Sequence, residues 1–141
     1  MDNKLLKKLA QDYTLLYVED EEFLQEATAE IFKYLFKEVV LAKDGEEAVS
    51  LYRSNFNKTG KNFDIVITDI QMPKMNGIDL SKELLKLNKN QKIVIVSAYN
   101  EAEYFIELRK IGVSNFMQKP SSSQEITNIL YEICMELDKE K

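Results

Sequence analysis

The sequence predicts an α/β fold in which a parallel five-stranded sheet lies between two layers of helices, a doubly wound (βα)5 three-layer sandwich. Five short segments rich in β-branched and aromatic residues alternate with segments whose apolar residues recur at helical spacing. Three of the short segments are nearly continuous apolar runs, which is typical of strands buried on both faces of a parallel sheet. The length of 141 residues fits a single domain of this class.

The predicted strands occupy residues 14–18, 38–42, 63–68, 92–96 and 113–117, and a helical segment follows each of them. Crossover connections between parallel strands are right-handed in nearly all proteins, so the alternation restricts the topology. For five strands the common order is 2-1-3-4-5, the flavodoxin-like arrangement, and we expect that order here.

Four of the helical segments have a clear apolar face by which they would pack on the sheet. In chain order, these faces consist of Leu24, Ala27, Ile31 and Leu35; of Ala48, Leu51, Tyr52 and Phe56; of Leu80, Leu84 and Leu87; and of Ile126, Ile129, Leu130, Ile133 and Leu137. Asp44 and residues 121–123 provide N-caps for two helices, and Gly112 fits a left-handed C-cap. Residues 55–62 are polar and predict a long loop between a helix and a strand.

Residues 1–13 predict an N-terminal leader, either a short amphipathic helix or a disordered segment, ahead of a domain spanning residues 14–141. The leader lacks the apolar core and the small-residue cleavage site of a secretory signal. Lys or Glu interrupts every apolar segment before it reaches the length of a membrane helix. The cytoplasm is therefore the expected location, and no membrane contact is expected.

The composition excludes several classes of function. Asp and Glu outnumber Lys and Arg by 24 to 19, and a chain with a net charge of −5 and no basic stripe is a poor candidate for direct nucleic-acid binding. The absence of histidine excludes Ser-His-Asp and Cys-His catalysis and histidine-ligated metals. Cys134 is the only cysteine, so neither an internal disulfide nor a thiolate zinc site can form.

Polar side chains stand at the carboxyl ends of four predicted strands. Glu19 and Asp20 follow the first strand, Asp69 the third, Ser97 the fourth and Lys119 the fifth. In an open parallel sheet these strand ends meet at one edge, where ligands bind. Each residue also has an ordinary explanation, such as an acidic helix start, a turn cap, a hydroxyl bonded to the backbone or a surface lysine. These explanations stay open for the residues taken singly, but they do not account for the joint occurrence.

Three convergent carboxylates repel one another and require a cation nearby. A site made only of oxygen ligands suits Mg²⁺, with Mn²⁺ as a substitute, better than zinc or copper. A lysine and a hydroxyl beside the cation would complete an arrangement for phosphoryl transfer. No glycine-rich nucleotide loop follows the first strand. Gln71 stands where an aspartate-based phosphohydrolase carries its second aspartate, which disfavours fast hydrolytic turnover.

Four segments in chain order carry a family resemblance. They are Tyr17-Val-Glu-Asp20, the Asp-x-x-Met-Pro-x-Met-x-Gly run that ends at Gly77, Val96-Ser-Ala98 and Phe116-Met-Gln-Lys-Pro120. Together they resemble the receiver domain of bacterial two-component response regulators, and the resemblance covers residues 14–137. It implies a domain that accepts a phosphoryl group from a sensor histidine kinase and then controls a partner or an attached output domain.

The resemblance also implies a role for each residue at the strand ends. Asp69 would be the phosphoacceptor and would attack the phosphohistidine of the kinase. Lys119 and Ser97 would bind phosphoryl oxygens, and the peptide bond before Pro120 would be cis. The Mg²⁺ ligands would be Asp20, Asp69, the backbone carbonyl of Gln71 and, through a water molecule, Glu19.

By the same resemblance, Ser97 and Phe116 would form a switch. Ser97 would move towards the phosphoryl group, and the ring of Phe116 would turn inwards and reshape the face made by the fourth helix, the fifth strand and the fifth helix of the (βα)5 pattern. That face would meet a downstream protein, an output domain or a second copy in a phosphorylation-dependent homodimer. A plain core aromatic is the alternative for Phe116.

Gln71 and Tyr99 occupy two positions that the resemblance associates with the lifetime of the phosphoryl group. We expect the bulky ring of Tyr99 to shield the phosphoryl group from water and to lengthen that lifetime. A surface tyrosine without a kinetic role is the alternative.

Two other functions stay open from the sequence alone. One is a degenerate receiver that serves as a fixed binding scaffold, against which the complete set of strand-end residues argues. The other is a Mg²⁺-dependent phosphatase of similar topology, which Gln71 disfavours. We expect a signalling switch that phosphorylates itself and loses the group slowly, without turnover of a separate substrate. The sequence fits both a single-domain regulator and the receiver part of a longer protein.

Overall fold

The computed structural model describes residues 3–98, 101–119 and 122–141. Its strands are β1 (Thr14–Val18), β2 (Glu38–Ala42), β3 (Ile65–Asp69), β4 (Lys92–Ser97) and β5 (Asn115–Gln118). They form one parallel sheet in the order β2-β1-β3-β4-β5, which confirms the predicted topology.

The first two strands have the predicted bounds, whereas β3 and β5 each begin two residues later than expected. The backbone N–H of Asp64 donates to the hydroxyl of Thr14 at 3.1 Å, so side-chain bonding precedes the regular ladder of β3. The N–H of Val113 donates to the carbonyl of Leu108 at 3.0 Å and closes the preceding helix, which delays β5. Local side-chain and capping bonds therefore set these two strand starts.

The described helices are α1 (Asn3–Ala10), α2 (Glu22–Leu35), α3 (Gly45–Thr59), α4 (Gly77–Leu87), α5 (Tyr104–Ile111) and α6 (Ser123–Glu140). The last five alternate with the strands as predicted. Asp44 accepts a hydrogen bond from the N–H of Glu47 at 2.8 Å, and Ser122 accepts one from Glu125 at 3.1 Å, which confirms both N-caps. Gly112 ends α5 with a φ of 110°, the predicted left-handed cap.

The prediction of a long loop at residues 55–62 is wrong, because α3 continues to Thr59. The polar side chains support the helix end instead of breaking it. The Thr59 hydroxyl donates to the carbonyl of Asn55 at 2.8 Å, and Gly60 ends the helix with a φ of 75°. Phe56 lies in this stretch and is exposed rather than core-facing as predicted.

The predicted apolar face of α2 is partly wrong. Leu35 is buried, but Ile31 is 47% exposed and Ala27 is exposed, while Ala29 and Phe32 are buried in their place. Helix α2 has two apolar faces, and the sequence pattern alone does not say which one meets the sheet. The outward face, which we call the α2 stripe, consists of Phe23, Ala27, Ile31 and Tyr34.

Two hydrophobic clusters cover the two faces of the sheet, which confirms the three-layer sandwich. The first packs α1, α2 and α6 on one face through residues that include Leu15, Phe32, Leu130 and Ile133. The second packs α3, α4 and α5 on the other face through residues that include Leu16, Tyr52, Leu84 and Leu108. The predicted face of α6 is confirmed, and on α4 only Leu87 of the predicted face is exposed.

Helix α1 lies in the predicted leader and packs into the first cluster. Leu6 and Ala10 are both 0% exposed, so the helix is part of the sandwich interior. The hydroxyl of Tyr13 donates to Asp138 near the end of α6 and ties the two ends of the chain together. The division of the chain at residue 13 stays a prediction.

Within the described residues, no helix has the length and apolar character that a membrane crossing requires.

Candidate functional site

The register of the sheet brings the predicted site residues to one edge. Val18 pairs with Thr68, and Asp69 pairs with Val96, so the chain leaves β1, β3 and β4 side by side. The N–H of Lys119 donates to the carbonyl of Ser97 at 2.8 Å, which extends the pairing of β4 and β5 by one residue. Lys119 is thereby held at the same edge as the carboxylates.

A cavity of about 430 Å³ opens at this edge. Its floor is formed by the carboxyl ends of the strands and its rim by the loops that follow them. The predicted site residues that line it are Glu19, Asp20, Asp69, Gln71 and Lys119.

Lys119 bridges two buried carboxylates. Its Nζ atom lies 2.8 Å from Oδ1 and 2.9 Å from Oδ2 of Asp69, and 3.2 Å from Oε1 of Glu19. Both carboxylates are almost completely buried, whereas the lysine side chain remains partly exposed. One ammonium therefore serves two carboxylates that have little access to water, and the site keeps an excess of negative charge.

Asp20 adds a third, exposed carboxylate to this pair. One carboxylate oxygen from each of Glu19, Asp20 and Asp69 lies within 4.8 Å of the others. These are hard oxygen ligands next to an open cavity, which is the donor chemistry that Mg²⁺ prefers because it retains several water ligands. The residues therefore fit the expected cation.

The crowding changes the acidity of the buried groups. Burial and the neighbouring Glu19 raise the pKa of Asp69 to about 7, although Lys119 opposes the shift. Burial alone would raise the pKa of Glu19, but its bonds with Asp69, the Glu21 amide and Lys119 outweigh burial and lower it. Burial would likewise lower the pKa of Lys119, but its bonds to the two carboxylates raise it. Of these two buried carboxyl groups, Asp69 thus holds a proton more readily than Glu19.

Ser97 is buried at the end of β4, between Val96 and Ala98, which both line the cavity. Because side chains alternate along a strand, Ser97 lies on the same face as Ile95, which pairs with Phe116. The two predicted switch residues therefore share one face of the sheet. Phe116 is half-buried, and its ring centroid lies 4.4 Å from that of Phe105 on α5.

The remaining predicted positions fall in two groups. Gln71 is exposed and lines the cavity, and its role as a backbone ligand stays a prediction. Tyr99 and Pro120 lie outside the described residues, so the shielding role of Tyr99 and the cis peptide bond stay predictions.

Gly77 allows the loop after β3 to fold back against the site. Its N–H donates to the carbonyl of Ile70 at 2.7 Å, and a Cβ atom at Gly77 would lie 2.0 Å from the backbone oxygen of Asp69. Only glycine permits this approach, because real Cβ atoms essentially never come so close to a backbone atom. The glycine of the motif thus fixes the backbone that carries Asp69.

Sequence reasoning left out of the site four polar residues of the cavity wall, which are Glu21, Glu101, Glu103 and Tyr104. Glu101 is notable because it is buried in an already acidic cavity. The prediction considered only the residues directly after each strand, and Glu101 follows β4 by four residues. Its acidic character so close to a strand end was the available signal.

The family model of the response regulator receiver domain matches residues 15–131. The chain belongs to this family. The receiver is 34% identical to the chemotaxis protein CheY of Thermotoga maritima, over 84% of this chain and 95% of that protein. It is 29% identical to the uncharacterized transcriptional regulatory protein YesN of Bacillus subtilis over 91% of this chain, and it spans 34% of that longer protein.

Solved structures agree with this assignment. A response regulator receiver domain protein from Clostridium thermocellum superposes with a TM-score of 0.80 at 21% identity, covering 92% of this chain and 99% of that one, and this likeness shows the fold. The non-phosphorylated HemR receiver domain of Leptospira biflexa has a TM-score of 0.75 at 30% identity, covering 87% and 94%. Receiver domains are signalling domains rather than enzymes that turn over a separate substrate.

Proposed function

We propose that this receiver is a phosphoacceptor switch of a two-component phosphorelay, in which Asp69 accepts a phosphoryl group from a phosphohistidine of a sensor histidine kinase. The observation that carries the proposal is the buried carboxylate of Asp69, held by Lys119 inside a cluster of three carboxylates. We propose the cytoplasm as the place of this exchange.

In the transfer, one carboxylate oxygen of Asp69 attacks the phosphorus atom while the bond between phosphorus and the donor imidazole breaks. The imidazole leaves with the electron pair and is protonated from solvent. Lys119 is already within ion-pair distance of Asp69 and would follow an equatorial oxygen as negative charge develops. The hydroxyl of Ser97 would donate a hydrogen bond to another oxygen.

The cation would be held by Asp20, Asp69 and the backbone carbonyl of Gln71, with Glu19 acting through water. When bound, Mg²⁺ supplies positive charge that neutralises phosphoryl oxygens and orients them. Burial and Glu19 raise the pKa of Asp69, so they disfavour the ionised form that acts as the nucleophile. The ionised nucleophile is favoured when a cation lies beside it, so we expect the reaction to depend on the metal.

We further propose that the response appears on the surface formed by α5, β5 and α6. The ring of Phe116 lies between α5 and the sheet, 5.3 Å from the guanidinium of Arg109. Inward rotation of this ring would remove its contact with Phe105 and change the packing of α5. Ile106 on the same helix is 67% exposed and is available to a downstream protein, an output domain or a second receiver.

The phosphodonor has to approach Asp69 through the open cavity, and α2 begins at its rim. Phe23, the first residue of the α2 stripe, is 81% exposed beside the acidic edge. We propose that the kinase packs on this stripe during transfer. Phe23→Ser should then slow transfer from a phosphorylated histidine kinase but leave the reaction with phosphoramidate unchanged.

The deciding experiment treats the protein with phosphoramidate and Mg²⁺ and measures its intact mass. We expect the mass of one phosphoryl group to be gained, and we expect neither Asp69→Asn nor the parent protein in chelator to gain it. Asp64→Asn removes a carboxylate from the opposite edge of the sheet and should keep the reaction.

The other outcomes point to the alternatives. No mass increase under Mg²⁺ or Mn²⁺ would favour a binding scaffold over a switch. Continuous release of phosphate from a phosphomonoester, sustained over many turnovers, would favour a phosphatase.

A further inference from the structure

The turn after β4 holds a buried carboxylate that the proposed reaction does not use. Oε1 of Glu101 accepts a hydrogen bond from the backbone N–H of Ala98 at 2.6 Å, and the N–H of Glu101 donates to the carbonyl of Ala98 at 3.1 Å. Glu101 is only 8% exposed. The described residues provide no hydrogen-bond partner for its other oxygen, Oε2, which is also buried.

Ala98 and Glu101 both line the cavity that contains Asp69 and Lys119. The cavity already holds more carboxylates than its one lysine can balance, and Glu101 adds another. A buried carboxylate oxygen without a donor destabilises the fold, because it has lost water and gained nothing in return. A neutral glutamine could accept the same bond, because a capping box takes either Glu or Gln at this position. The charge of Glu101 therefore calls for an explanation beyond the turn itself.

The bond to Ala98 provides one. A backbone N–H at the end of a strand, facing an anion-binding cavity, is a donor that a phosphoryl oxygen can use. The carboxylate of Glu101 occupies that donor in the structure described here. A phosphoryl group on Asp69 would carry a charge near −2 and strong acceptor oxygens, so it would compete for the same N–H and repel the carboxylate.

We propose that Glu101 is an internal competitor of the phosphoryl group, which holds the Ala98 N–H in the unphosphorylated receiver and is expelled from the cavity when Asp69 is phosphorylated. This inference rests on the proposed function. Glu101 lies three residues before α5, so its expulsion would act directly on the start of that helix. This effect of Glu101 on α5 is separate from the switch formed by Ser97 and Phe116. Glu101 is a positioning residue that opposes phosphorylation.

The test compares phosphorylation rates with phosphoramidate and Mg²⁺, followed by intact mass, in the parent protein and three variants. Glu101→Ala frees the amide and removes the charge. Glu101→Gln removes the charge and keeps a weaker acceptor. Glu103→Gln is the matched control, because this exposed residue lines the same cavity and its loss removes one charge without touching Ala98.

We expect both Glu101 variants to be phosphorylated at least about threefold faster than Glu103→Gln, because they also weaken the competition for the Ala98 N–H. Thermal unfolding is measured alongside, and if Glu101→Ala does not fold, Glu101→Gln decides. Rates equal to or below that of Glu103→Gln would show that Glu101 only closes the turn. Failure of the parent protein to be phosphorylated would instead refute the proposed function, so the two failures are distinguishable.

Discussion

The two edges of the sheet hold their carboxylates in opposite ways. At the amino edge, Oδ2 of Asp64 accepts hydrogen bonds from the N–H of Thr14 at 2.8 Å and from its hydroxyl at 3.1 Å, and the hydroxyl accepts one back from the N–H of Asp64. At the carboxyl edge, Glu19 and Asp69 share one ammonium, and the neighbouring Glu19 raises the cost of ionising Asp69. At the amino edge, the hydrogen bonds between Asp64 and Thr14 satisfy the carboxylate. At the carboxyl edge, one ammonium does not neutralise two carboxylates, so a further cation would stabilise them.

The contrast extends to the neighbouring residues. At the amino edge, Nζ of Lys92 lies 3.3 Å from a carboxylate oxygen of Glu136 and 3.1 Å from one of Glu140. Two carboxylates of α6 therefore form ion pairs with this lysine. At the carboxyl edge, Glu101 is buried with one oxygen that has no partner among the described residues. Unsatisfied charge is thus concentrated where we propose that the chemistry occurs.

The largest effect should come from Gly77→Ala, which disturbs the carboxyl edge through the backbone. A Cβ atom at residue 77 would lie 2.0 Å from the backbone oxygen of Asp69, so the loop after β3 and the end of β3 would be forced apart. We expect a loss of about 3 kcal/mol in the free energy of unfolding, measured with denaturant, together with a large fall in the phosphorylation rate.

Gly60→Ala is the matched control for this substitution. Gly60 has a φ of 75° and no atom within 4 Å of a Cβ position, so its replacement tests backbone strain alone. We expect a loss of about 1 kcal/mol and an unchanged phosphorylation rate. If Gly77→Ala behaves no differently from Gly60→Ala, the close approach to Asp69 has no importance for the site.

A smaller effect is expected from Asp64→Ala at the amino edge. The substitution leaves the N–H and the hydroxyl of Thr14 without their acceptor, which should cost about 2 kcal/mol in the free energy of unfolding. The phosphorylation rate of the folded variant should match that of the parent protein. A variant that keeps its stability but is phosphorylated slowly would contradict the division between a structural edge and a reactive edge.

The sequence was sufficient for those features that periodicity and strand ends determine. The strands at 14–18 and 38–42 coincide with β1 and β2, and residues directly after strands meet at one edge because the sheet is parallel. Helix α2 was harder, since Ile31 and Phe32 belong to two apolar faces and only packing selects between them. The acidic character of Glu101 near a strand end was a signal, but its burial could not be predicted, because the bond to Ala98 leaves no periodic pattern in the sequence.

The smallest effect, and the most direct test of the crowding at the carboxyl edge, concerns the pH dependence of stability without metal. The pKa of Asp69 rises from an ordinary 3.8 to about 7 in the folded protein. Between these values the unfolded chain has released the proton that the folded protein still holds, so the parent protein loses stability as the pH rises and the loss is complete above about 7. Asp69→Asn lacks this group and should be free of the loss.

We therefore expect the free energy of unfolding of Asp69→Asn to gain about 1 kcal/mol on that of the parent protein between pH 6 and pH 8, in chelator. The contribution of Lys119 is already included in this gain, because its ammonium opposes the rise in the pKa of Asp69. Saturating Mg²⁺ should reduce the difference in slope, since a cation beside Asp69 favours the same ionised form. Parallel profiles in chelator would mean that Glu19 and burial do not hold a proton on Asp69, and the two edges would then differ in geometry but not in electrostatics.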